Sequence, residues 1–69
     1  MPYESVEQLP IAVRDHLPLH AAEIYRSAFN HAWASYANRG PAREEICHRV
    51  AWAAVKRRYR KADGVWVER

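Results

Sequence analysis

Residues 24–36 read IYRSAFNHAWASY. Ile24, Tyr25, Ala28, Phe29, Ala32, Trp33 and Tyr36 recur at three- and four-residue spacing. At about 100° per residue they gather into one stripe of a helix. Glu23, Ser27, Asn30 and Ala34 fall on the opposite side. The pattern predicts an amphipathic helix over residues 19–38, starting after Pro18 and ending at NRGP (38–41). There Gly40 suits a left-handed cap and Pro41 forbids continuation. Tyr25, Phe29, Trp33 and Tyr36 on that stripe read as core, not as stacking platforms for single-stranded nucleic acid. His31 sits at the stripe's edge, with one ring nitrogen expected in water.

Outward from this helix, Pro10 and Pro18 bracket PIAVRDHL and predict a short helix over 10–17. Eight residues do not hold a helix in water, so Ile11, Val13 and Leu17 must pack on something longer. On the other side, Pro41 opens a third helix over 42–61. Glu44 and Glu45 lie in its first turn, where the macrodipole favours acids. Ile46, Val50, Ala51, Ala54 and Val55 supply its core side, with Trp52 and Tyr59 on the flank. Apolar residues cover more than half its circumference, the mark of a central helix in a small bundle. Gly64 ends it, and VWV (65–67) then alternates with period two. A lone strand leaves its backbone groups unpaired, and MPY (1–3) is the candidate partner. The expected fold is mainly α: three helices with a short two-stranded sheet pairing the chain termini. The expected core is Leu9, Val13, Ile24, Tyr25, Phe29, Trp33, Val50, Ala54 and Val55.

The chain has 69 residues, enough for one domain spanning 1–69. Its one cysteine, Cys47, excludes an intrachain disulfide and fits a reducing compartment. MPYESVEQLP has neither the basic nor the apolar region of a secretory signal. No apolar run approaches the roughly 20 residues that span a bilayer. The expectation is a cytoplasmic monomer without a membrane span. The net charge of +3 is unevenly distributed. Residues 1–38 carry two Arg against four acids, a net −2. Residues 39–69 carry nine Lys/Arg against four acids, a net +5. Such a split marks either an interaction surface or two halves that attract across a shared core.

Catalytic and metal chemistry find little support. Pro18 interrupts the helical face that His16 and His20 would need to share, and the adjacent Cys47 and His48 diverge on a helix. A catalytic thiol needs its base on a spatially opposed element, so Cys47 reads as a small packing residue. Gly40 and Gly64 are the only glycines, too few and too isolated for a phosphate-cradling loop. No catalytic, metal-ligating or cofactor-binding residues are expected, and the chain reads as a non-enzyme. What remains is KRRYRK (56–61). A helix end accounts for three of its five cations, which complement the negative end of the dipole. Arg49, Lys56 and Arg60 also align with Ala53 along one strip of the third helix. The candidate partner-binding residues are therefore Arg49, Lys56, Arg57, Arg60 and Lys61. A solvated helix end that binds nothing is the plain reading of the run. If it binds, an acidic protein surface is the leading partner, with nucleic acid or anionic head groups as alternatives.

LPIAVRDHLPLHAAEIYRSAFNHAWASY (9–36), REEICHRVAWAAVKRRYRK (43–61) and the late Trp66 together resemble the ChaB family of proposed cation transport regulators. The shared pattern is an early Leu-Pro, a second Leu-Pro before an Ala-rich aromatic helix, and an AWAAVK helix with Tyr and Lys downstream. It covers Tyr3 to Trp66. The resemblance implies a compact helical domain with a small pairing of strands between the chain ends. It also implies association with a sodium or calcium/proton antiporter, and carries no catalytic or metal-ligand residues to transfer. The link ANRGPAR (37–43) departs from the pattern, being short and basic where relatives often have a longer, more charged segment. Some relatives are joined to a segment like the N-terminal part of the Rho termination factor, which keeps nucleic acid in view.

Overall fold

The structure, a computed structural model, describes residues 2–69. Its elements are α1 (Ile11–Arg14), α2 (Leu19–Ser35), α3 (Arg43–Arg58), β1 (Tyr59–Ala62) and β2 (Val65–Glu68), with short 3₁₀ turns at Val6–Gln8 and Gly40–Ala42. Three helices and a two-stranded sheet were the expected inventory, and both are present.

α2 and α3 form the body of the molecule. Trp33 meets Arg43, Phe29 meets His48, Tyr25 meets Trp52 and His20 meets Tyr59, so the two helices run antiparallel. Tyr25, Phe29, Cys47 and Val55 are the largest side chains wholly withdrawn from solvent between them. Ala21, Ala22, Ala32 and Ala51 bring the backbones close enough for the aromatics to interlock. Val6, Leu9, Val13 and Leu17 of the N-terminal segment close one side, which is the packing that so short an α1 requires. Ile11 points the other way and stays 64% exposed. Of the expected core, Leu9, Val13, Tyr25, Phe29 and Val55 are buried, whereas Ile24, Trp33, Val50 and Ala54 are half-buried.

α2 stops at Ser35, three residues short of expectation. Its end is closed from outside: Arg43 Nε donates to the Trp33 carbonyl at 3.0 Å, Nη2 bonds the same oxygen, and the guanidinium lies 3.7 Å from the indole centroid. Gly40 does take the left-handed conformation, with φ +59°, but as the entry to the turn before α3.

The larger correction concerns residues 59–62. The third helix ends at Arg58, not 61, and Tyr59 turns extended with φ −131° and ψ 154°. β1 then pairs antiparallel with β2, Tyr59 opposite Glu68 and Ala62 opposite Val65. Asp63 and Gly64, with φ of 53° and 78°, make the two-residue connection. Both central residues at positive φ is the primed turn whose twist matches a β-hairpin, and Asp-Gly is among its preferred sequences. The sheet is therefore a local hairpin and not a pairing of the chain termini. Met1 lies outside the described residues, and Pro2 and Tyr3 join no strand. Tyr3 has no need of one. Its N–H donates to Asn30 Oδ1 at 2.8 Å, and Asn30 Nδ2 donates to its carbonyl at 2.7 Å. One side-chain amide on α2 thus satisfies both backbone groups that a partner strand would have taken.

Candidate cationic interface

The hairpin folds back so that Trp66 stacks on Trp52 of α3, ring centroids 5.7 Å apart. Tyr59 is buried at its root, its hydroxyl 3.0 Å from His20 Nδ1 on α2. These two anchors fix where the basic run lies. Lys56, Arg57 and Arg58 occupy the last turn of α3 and are exposed. Arg60 and Lys61 lie on β1, also exposed. Successive strand residues point to opposite faces, so Lys61 shares the face of Tyr59 and Trp66, and Arg60 that of Val67. The single helical strip expected through Arg49, Ala53, Lys56 and Arg60 is therefore broken at Arg58. The cations form a cluster around the end of α3 and both faces of the hairpin instead.

Their pairing differs. Arg49 Nη2 lies 2.7 Å from Glu45 one turn back, so its charge is already met. Among the described residues, Lys56, Arg57, Arg58, Arg60 and Lys61 have no ion-pair partner. The helix end does not consume them either. Arg69 Nε donates to the Lys56 carbonyl at 2.7 Å, and the Arg69 N–H to the Arg58 carbonyl at 2.8 Å. Arg58 and the capping Arg69 were absent from the sequence-derived set. The signal for Arg58 was its place in the same turn; Arg69 meets α3 only through the hairpin.

Beside this cluster lies an open trough between α2 and α3 of about 750 Å³. Ile24, Ala28, Val50 and Ala54 form its floor, and Arg57, His20, Glu23 and His31 stand at its edges. Three of the floor residues were expected in the core. On another flank of α3, Trp52, Arg49 and Lys56 line a smaller hollow of about 430 Å³.

His48 and Cys47 sit within the packing of α2 against α3. Cys47 is fully buried, and burial raises its thiol above the ordinary range. The buried Tyr25 hydroxyl hydrogen-bonds His48 Nδ1, whose Nε2 is 3.8 Å from Glu44. Burial, with Tyr3 nearby, pushes the Tyr25 phenol well above its ordinary value. Among the described residues no three His, Cys, Asp or Glu side chains converge as a metal site. No helix there is long and apolar enough to cross a membrane.

The arrangement has relatives. The profile of the ChaB family matches residues 9–69. The protein named "Putative cation transport regulator ChaB" in Escherichia coli (strain K12) is 47% identical over 68 residues, covering 91% of this chain and 90% of its own length. The protein of the same name in Shigella flexneri matches equally. A solution NMR structure titled as the putative cation transport regulator ChaB superposes with a TM-score of 0.87 at 44% identity, over 99% of both chains. Its helices and hairpin share the architecture described above, and with a match that spans nearly the whole length the chain belongs to the ChaB family.

Proposed function

We propose that this protein is a non-catalytic regulator of a cation transporter, acting by binding an acidic protein surface through the cationic end of α3 and the hairpin. One observation carries the reading: Lys56, Arg57, Arg60 and Lys61 are exposed and unpaired among the described residues, while the helix end beneath them is capped by Arg69. Unpaired cations around a rigid element steer an acidic partner and set its register. The relatives' name, a cation transport regulator, supports a cation transporter as the partner. The cytoplasmic face of an antiporter is the docking surface this reading assigns to it. A protein that binds one transporter conformation better than another biases its equilibrium by that difference in affinity, with no chemistry of its own.

The test is capture from native lysate, with and without nuclease, by wild type and by a Lys56→Glu/Arg57→Glu/Arg60→Glu variant. Two of these changes place acids at a helix C-terminus, at about 0.3–1 kcal/mol each, so circular dichroism must first show the variant folded. A transporter retained by wild type, lost by the variant and indifferent to nuclease is the expected result. Equal retention by both proteins would sink the reading. Loss on nuclease treatment, with affinity falling steeply and linearly in log salt, would instead assign the cations to phosphates.

A further inference from the structure

The apolar surface of α3 exceeds what α2 covers. More than half its circumference is apolar, as befits the middle helix of a bundle. Yet α2 is the one long helix packed against it. Part of the excess is gathered in one place. Val50 and Ala54 of α3 face Ile24 and Ala28 of α2 across the trough, all four half-buried. A furrow between two antiparallel helices, with small residues on its floor, is the seat a third helix takes in ridge-and-groove packing.

We infer that this trough receives one amphipathic, acidic helix of the protein partner, an inference that rests on the protein-binding reading above and specifies its contact. The charge at the edges chooses the occupant. Glu23 is already 3.2 Å from Arg26, whereas Arg57 is unpaired among the described residues and borders the other free cations. The unbalanced charge beside the apolar floor is positive. A second copy of this chain would bring its own net +3, and the same cationic end, against it. An acidic helix meets both demands. Its apolar residues at i, i+3 or i+4 and i+7 fill the floor, the usual pattern for a helix in a groove. Its flanking carboxylates reach Arg57 and the neighbouring last-turn cations. With the partner helix seated, α3 becomes the central helix that its composition describes.

The probe is a displayed library of random 16-residue peptides selected against the folded wild-type protein. Enriched peptides are expected to combine acidic residues with apolar ones at helical spacing. Their synthetic forms should shift the amide resonances of Ile24, Ala28, Val50 and Ala54. Ala28→Glu, a charge on the floor at a half-buried position, should weaken them about tenfold or more, equivalent to at least about 1.4 kcal/mol. Arg57→Glu should weaken them as well. Peptides that are acidic but aperiodic, bind Ala28→Glu as well as wild type, and lose affinity only in an Arg60→Glu/Lys61→Glu variant would overturn the trough inference while leaving the acidic-partner reading intact. No acidic enrichment at all would count against both. A wild-type dimer in sedimentation, with these same floor resonances protected, would give the trough to a second copy and overturn the inference. If Ala28→Glu unfolds, Ala54→Gln serves the same comparison.

Discussion

Tyr25 has the largest side chain buried between the long helices, and it keeps a polar atom there. Its hydroxyl is satisfied by His48. Tyr25→Phe should therefore lower stability by about 1–2 kcal/mol at neutral pH, since it leaves the imidazole nitrogen facing an apolar wall. Alkaline pH separates the two proteins further. Burial raises the folded-state phenol above its unfolded value, so the unfolded chain loses this proton first. Stability is then full below the unfolded value, near pH 10, and falls as pH rises through and beyond it. Urea midpoints between pH 9 and 11.5 should drop for wild type and drop less steeply for Tyr25→Phe. Parallel curves would show that Tyr25 does not govern the alkaline limb. At this scale the sequence is partly legible. The stripe through Tyr25 and Phe29 names the core. Nothing local announces that His48, on another helix, completes Tyr25, or that the Asn30 amide completes Tyr3, because both pairings span more than twenty residues.

At the scale of elements, α2 and α3 follow from periodicity sustained over four turns or more, while the hairpin does not. β1 is four residues long and continues straight from a helix, too short for a period of two to declare itself against the preceding 3.6. The basic run suits a helix end, and Gly64 suits a helix stop, so both local signals favour the wrong element. The decisive signal was Asp63-Gly64 between YRKA and VWVE, a two-residue primed turn. A Cβ built on Gly64 meets nothing within 4 Å, so Gly64→Ala isolates the backbone cost of φ 78°. That substitution should destabilise the protein by about 1–2 kcal/mol, the penalty for a Cβ in the left-handed region. Gly64→Asn should cost less. Trp fluorescence reports it, because Trp66 rests on Trp52 and fraying the turn separates them. An unchanged unfolding curve for Gly64→Ala would mean that the hairpin is not held by its turn. The candidate site was legible in the same partial way: the charges are plain in KRRYRK, but their distribution over two strand faces follows from an element that the helical reading hid.

For the molecule as a whole, nearly every large buried residue belongs to one cluster, which the N-terminal segment, both long helices and Tyr59 share. A core this small leaves only about 3–5 kcal/mol of net stability, shared by both long helices. Cys47 lies at its centre, wholly buried and with its thiol raised. Thiol labelling in the folded protein should therefore be slower than in the unfolded chain by at least about a hundredfold, and should accelerate with urea in step with loss of helix. Labelling that runs ahead of the circular dichroism would reveal an opening of α2 from α3 short of global unfolding. The same cohesion explains why Ile24, Val50 and Ala54 could be mistaken for core. Ile24 and Val50 pack against the cluster, and all three line the trough, where they lack a cover.

The contact that closes α2 is made by a side chain: Arg43 grips the Trp33 carbonyl and lies over its indole. The ends of the two helices are thereby fastened to each other, and the residues between them are relieved of that duty. Ala37, Asn38 and Arg39 are exposed, and lengthening a flexible loop to twice its size costs only about 0.6 kcal/mol. The link is thus the natural place for evolutionary insertion, or for grafting a reporter, at a distance from the hairpin and with the register of the helices undisturbed.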